Sequence, residues 1–156
     1  MPKLDEVDLK LLRLLTEDSS RPLREFGREL GLSISAVRKR VEKLRKMGVI
    51  KRYTVELDYR KLKLGLTAFL RLEVDPKELQ RVVRQLSHYR EVCEIHRITG
   101  NHNLLVKVRS RDMGTLKKFM ERITNSSGAV RELETLVAID SLEIEGLRIP
   151  LTLAGA

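Results

Sequence analysis

Apolar residues recur at three- and four-residue intervals in the first part of the chain, and a two-residue alternation takes over near Leu66. Leu4, Val7, Leu11, Leu12 and Leu15 keep helical spacing and predict a helix over about 5–17. Asp5 and Glu6 suit its positive N-terminal end. Asp18-Ser19-Ser20-Arg21-Pro22 breaks it. A short second helix places Leu23, Phe26, Gly27 and Leu30 on one side, and Gly31 stops it in the left-handed conformation that glycine takes without strain. Ser33 is a suitable N-cap for a third helix, whose buried stripe is Val37, Val41 and Leu44. That helix runs to about Met47, and Gly48 ends it. Val49 to Leu57, with apolar Ile50, Tyr53, Val55 and Leu57, predicts a strand. Residues 58–65 read as a linker.

Beyond Leu66 the pattern predicts a second domain. Leu70, Leu72 and Val74 share one face of a strand over 66–74, with Phe69, Arg71 and Glu73 on the other. Asp75-Pro76 is expected to open a helix with Leu79, Val82, Val83 and Leu86 inward. Strands at 92–98 and 104–108 flank the turn Thr99-Gly100-Asn101-His102 and predict a hairpin. A helix over 112–124 faces Met113, Leu116, Phe119, Met120 and Ile123 inward. The loop Asn125-Ser126-Ser127-Gly128 leads to a last strand over 130–137, continuing irregularly through Ile144. The order βαββαβ is the ferredoxin-like pattern. Its helices cover one face of the sheet, and a second copy of the chain is the simplest cover for the other. The expected class is α+β: a helix-turn-helix domain of three helices plus a strand over 1–57, a linker over 58–65, and the βαββαβ domain over 66–156.

Charge adds a partner to this picture. The 156 residues carry a net charge of +9, and residues 21–60 hold 12 Lys and Arg against 5 Asp and Glu. A basic excess concentrated in this way favours an anionic partner. At 100° per residue, with Val37, Val41 and Leu44 inward, Ser35, Lys39, Glu42 and Lys46 point away from the core, flanked by Arg38 and Lys43. Such a row suits base edges and phosphates in a major groove. Ser33 and Ser35 lie where free helix N–H groups favour a phosphate. Arg21, Arg24, Lys51 and Arg52 are candidate clamps on the DNA backbone, or solubilising charges.

Other chemistries find little support. The lone Cys93 allows no disulfide within the chain. No apolar run approaches a membrane span, and Met1-Pro2-Lys3-Leu4-Asp5-Glu6 has no signal-peptide character, so the expected location is the cytoplasm. Cys93, His96 and His102 invite a metal reading, but strand positions three apart point to opposite faces. Glu132 and Glu134, like Glu143 and Glu145, pair at i, i+2 and read as a solvated or interface edge. No phosphate-binding loop, nucleophile elbow or zinc-protease motif is present, so a binding protein without a cofactor is expected rather than an enzyme.

Leu4-Asp5-Glu6-Val7-Asp8, Leu30-Gly31-Leu32-Ser33, Val37-Arg38-Lys39-Arg40-Val41-Glu42-Lys43-Leu44 and Gly48-Val49-Ile50 together resemble the Lrp/AsnC family of feast/famine regulators. The resemblance covers nearly the whole chain. It implies a winged-type helix-turn-helix and an amino-acid-sensing RAM domain that dimerises through its sheet and assembles to tetramers or octamers. It also implies palindromic double-stranded DNA sites and a small amino-acid effector bound between dimers, at Thr99, Gly100, Asn101, His102 and Asn103. Family members that bind amino acids typically show Gly-Asp-x-Asp in that turn, whereas Gly100-Asn101-His102-Asn103 offers neutral amides to an α-ammonium group. A different ligand, a weaker one or a plain hairpin turn fits these residues as well. The leading expectation is a sequence-specific transcriptional regulator. The alternatives are an architectural protein that coats DNA with low specificity, and a small enzyme or sensor built on the ferredoxin-like half.

Overall fold

The computed structural model describes residues 4–126 and 128–141, which fall into two compact units that divide between Glu56 and Leu57. The first contains α1 (Glu6–Glu17), α2 (Leu23–Leu30) and α3 (Ile34–Lys46). Asp5 caps α1: the Asp8 N–H donates to its carboxylate at 2.8 Å, and the Asp5 N–H donates back to Asp8 at 3.2 Å. This reciprocal arrangement satisfies two otherwise unpaired N–H groups. Gly31 ends α2 at φ +65°, and the Leu32 N–H donates to the Gly27 carbonyl at 2.8 Å. The Ser33 hydroxyl accepts from the Ala36 N–H at 3.2 Å and starts α3. Leu11, Phe26, Val37 and Leu44 are wholly buried at the centre of this unit. Each such burial contributes about 1.5–3 kcal/mol, so four residues anchor all three helices.

Residues 51–58 do not form the expected strand. After α3 the chain turns through Gly48, and the N–H groups of Val49 and Ile50 both donate to the Leu44 carbonyl. Tyr53, Val55 and Leu57 then stand exposed. The alternation is present, but a strand exists only by pairing, and none of the described residues pairs with this segment.

The second unit contains β1 (Leu66–Val74), α4 (Leu79–Ser87), β2 (Val92–Arg97), β3 (Leu104–Ser110), α5 (Met113–Ser126) and β4 (Val130–Val137). The strands form one antiparallel sheet in the order β2-β3-β1-β4. Ala68, Leu70, Leu72 and Val74 of β1 and Leu104, Val106 and Val108 of β3 are buried beneath Leu79, Val82 and Leu86 of α4 and Leu116, Phe119 and Ile123 of α5. This is the ferredoxin-like arrangement, with both helices on one face. Pro76 lies in a turn and not in the helix: the Glu78 N–H donates to the Asp75 carbonyl, and α4 begins only at Leu79. Of the expected Asn125-Ser126-Ser127-Gly128 loop, Asn125 and Ser126 belong to α5 and Ser127 lies outside the described residues, as do Glu143, Glu145 and the continuation of the last strand beyond Ser141 to Ile144.

The opposite face of the sheet carries Phe69, Leu105 and Leu136 among paired charges. Arg71 meets Glu134 at 2.7 Å and Lys107 meets Glu94 at 2.9 Å. Lys107, followed by His96, holds the Glu94 carboxyl below its usual range.

Candidate nucleic-acid interface

The basic face of α3 is arranged by α1. Asp8 is completely buried, yet both carboxylate oxygens are engaged: Oδ1 with Arg40 Nη1 at 2.7 Å and Oδ2 with Lys43 Nζ at 2.7 Å. Arg40 Nη1 also reaches Asp5 at 2.7 Å. Burial pushes the Asp8 carboxyl up, but the hydrogen bonds from Lys43 and Arg40 outweigh it and hold the group ionised, below its ordinary value. The Arg40 hydrogen bond likewise lowers Asp5, and Asp5 followed by Asp8 raises Arg40. A buried carboxylate held this way fixes the axial position and rotation of α3 against α1.

That clamp sorts the candidate DNA ligands. Ser35, Arg38, Lys39 and Lys46 are exposed, and none of the three cations has a carboxylate within 4.0 Å among the described residues. Arg24, Lys51 and Arg52 are likewise exposed without such a partner. Ser33 caps α3, and its hydroxyl lies 3.1 Å from that of Ser35. Lys43 instead faces Asp8, and Arg21 pairs with Glu25 at 3.1 Å and with Glu29 while packing over the Phe26 ring. A contact from either to phosphate competes with an existing ion pair. Asp8 and Arg40 were passed over as functional positions in the helical projection. The signal was the third acid of Leu4-Asp5-Glu6-Val7-Asp8, three residues beyond the cap. Arg45 was also passed over; it is exposed and lies close to Arg38 in the projection around α3.

The turn between β2 and β3 is closed by the Ile98 N–H donating to the Asn103 carbonyl. Gly100 has φ +101°, a conformation that a side chain would strain. Asn103 is a structural peg: its amide donates to the Val74 carbonyl at 2.7 Å, and its side-chain oxygen accepts from the Val74 N–H at 3.0 Å. The family resemblance implies Asn103 among the effector ligands; here both ends of its side chain hydrogen-bond to β1. Thr99, Gly100 and Asn101 are exposed. His102 is mostly buried, with Nε2 3.7 Å from Glu132 and no hydrogen-bond partner. Cys93 sits in a β-bulge, and among the described residues no three His, Cys, Asp or Glu side chains gather to hold a metal ion.

A capped three-helix unit with an outward basic third helix, followed by a ferredoxin-like unit, defines a helix-turn-helix DNA-binding protein with an appended regulatory domain. Residues 4–45 match the AsnC-type helix-turn-helix domain and residues 67–146 the Lrp/AsnC ligand binding domain. The HTH-type transcriptional regulator FL11 of Pyrococcus horikoshii is 32% identical over 136 residues, 87% of this chain and 89% of its own length. An AsnC family transcriptional regulator from Agrobacterium tumefaciens superposes with a TM-score of 0.87 at 26% identity, covering 96% of this chain and 99% of that one. A feast or famine regulatory protein from M. tuberculosis, solved in complex with L-methionine, does so with a TM-score of 0.86 at 27% identity over 94% of this chain and 99% of its own. The chain belongs to the Lrp/AsnC family of helix-turn-helix transcriptional regulators.

Proposed function

We propose that residues 1–57 bind double-stranded DNA through α3, while residues 66–156 bind an effector and join copies of the chain. Ser35 and Lys39, with Arg38, read base edges in the major groove. Lys46, Arg24, Ser33, Lys51 and Arg52 hold phosphates. Lys43 and Arg21 reach the backbone only by exchanging a carboxylate for a phosphate. The observation that carries this reading is the division of cations on α3: Arg40 and Lys43 are locked to α1, and Arg38, Lys39 and Lys46 are left exposed and unpaired among the described residues.

Two copies pack by their open sheet faces, covering Phe69, Leu105 and Leu136, whose neighbouring charges are already neutralised in pairs. The exposed Tyr53, Val55 and Leu57 are further apolar surface for a second copy to cover. A two-fold dimer presents two α3 helices and therefore matches a palindromic operator. Tetramers or octamers follow from association of such dimers. A small amino acid binds at the turn Thr99-Gly100-Asn101-His102, with Asn103 holding the turn on β1. The M. tuberculosis relative complexed with L-methionine supports this class of ligand. The protein is a binding protein of the cytoplasm and not an enzyme; among the described residues no helix is long and apolar enough to cross a membrane.

Isothermal titration of the intact protein with individual amino acids, L-methionine among them, tests the effector reading. Saturable heat that Gly100→Val abolishes supports it. Absence of heat with every amino acid removes it and leaves the DNA reading standing.

A further inference from the structure

The second unit carries a charge asymmetry unrelated to its sheet. Its helix layer, residues 77–91 and 111–126, contains eight Lys and Arg against four Asp and Glu, a net of +4. The whole second unit, residues 57–141, contains 16 against 11, a net of +5, so nearly all its excess lies on the helices. The open sheet face is the contrast, since Arg71 and Lys107 pair with carboxylates there, and Arg109 donates to the Thr67 hydroxyl and stacks on the Tyr59 ring. On the helices Arg81 is held by Glu78 and Arg122 by Glu91. Arg84 of α4, Lys117 and Lys118 of α5, and Arg90 and Arg111 beside them are exposed, with no carboxylate within 4.0 Å among the described residues. Because Leu79, Val82 and Leu86 and Leu116, Phe119 and Ile123 point into the sheet, Arg84, Lys117 and Lys118 face outward from two adjacent helices.

We propose that this helix layer is a second DNA-contacting surface, which binds the phosphates of a duplex extending beyond the segment held by α3. The inference rests on the DNA-binding reading of the first unit. A row of unpaired cations on two neighbouring helices complements a regular polyanion, and it makes no demand on sequence. Duplex already held by α3 is at high local concentration, so a surface too weak to bind alone still engages. An acidic protein segment fits the same charges, but the regulator brings its own polyanion with it, and so DNA is the occupant favoured here.

The test compares the intact protein with the triple variant Arg84→Gln, Lys117→Gln, Lys118→Gln. Glutamine keeps helix propensity, and thermal unfolding checks the fold. Binding is measured across a salt series to mixed-sequence duplexes of about 20 and about 150 base pairs, where each lost phosphate contact flattens the slope by about 0.9. The expected result is a slope shallower by about 2–3 and an affinity reduced at least about tenfold on the long duplex, with the short duplex changed less than about twofold. The charge-conserving triple variant Arg84→Lys, Lys117→Arg, Lys118→Arg keeps the slope of the unaltered protein. Equal response at both lengths, or no response at either, overturns the proposal while leaving α3 as the DNA reader. Loss of binding to polyglutamate with both duplexes unaffected overturns it in favour of a protein partner. Failure of the unaltered protein to bind either duplex overturns both readings.

Discussion

Replacing Asp8 with alanine tests whether α1 holds the recognition helix in place. The carboxylate is fully buried, accepts from Arg40 and Lys43 at 2.7 Å, and also accepts from the Asp5 N–H. A hydrogen bond to a charged group is worth about 1.5–3 kcal/mol net, and loss of a capping contact costs about 1 kcal/mol. Two effects reduce the sum. The buried carboxylate carries a desolvation penalty that alanine removes. The partners are also not stranded: Arg40 keeps Asp5, and the Lys43 side chain, 42% exposed, rehydrates. The loss should therefore fall below the 3–5 kcal/mol typical of stranding a buried charge, at about 2–3 kcal/mol. Asp5→Ala, whose carboxylate is half exposed, should cost about 1 kcal/mol. Urea unfolding followed by circular dichroism measures both. The sign with pH is fixed by the direction of the shift. The Asp8 and Asp5 carboxyls lie below their ordinary 3.8 in the folded protein, so their stabilisation is complete above that pH and disappears as pH falls through the folded values. The gap between the native protein and Asp8→Ala must close in that acid range. A neutral-pH difference under about 0.5 kcal/mol, or a gap that persists undiminished in acid, would refute the reasoning.

Gly27→Ala should destabilise the first unit by about 1–3 kcal/mol, read from the urea midpoint, because the new Cβ would lie 2.6 Å from the Leu32 carbonyl oxygen in the turn that leads to α3. Lys39→Ala should weaken binding to a cognate operator by about 1–3 kcal/mol with little change on random duplex, whereas Lys46→Ala should weaken both and flatten the salt slope by about one; fluorescence anisotropy separates the two. Asn103→Ala should cost about 1–3 kcal/mol of stability with or without an effector present, since it leaves both backbone groups of Val74 without the partner they now have. An effect of Asn103→Ala on ligand affinity alone, with unfolding unchanged, would count against its role as a peg.

The sequence was legible where structure follows from near neighbours. The cap at Ser33, the stop at Gly31 and the alternation of β1 are decided within a few residues, and all stand as read; Asp5, read only as suiting the helix's positive end, is its cap. Outcomes that depend on distant groups were not legible. The alternation of Tyr53, Val55 and Leu57 is strand-like, but pairing needs a partner, and the described chain supplies none. A projection of α3 alone cannot reveal that Asp8, 32 and 35 residues earlier, accepts from both Arg40 and the flanking Lys43. The hydrogen bonds of Asn103 to β1 were not legible either, because its partner Val74 lies 29 residues away. The cations of α4 and α5 are hidden because residues outside 21–60 sum to only +2: residues 1–20 carry five acids against three Lys and Arg, and residues 142–156 carry two against one.

The most direct test of the central claim is binding of the purified protein to the DNA upstream of its own coding sequence, against a scrambled duplex of equal length, through a salt series. The account predicts preference for the natural duplex by at least about a thousandfold, sustained at physiological salt. Equal and steeply salt-dependent binding to both would contradict sequence-specific readout by α3 and favour an architectural protein, and no binding to either would contradict DNA recognition altogether.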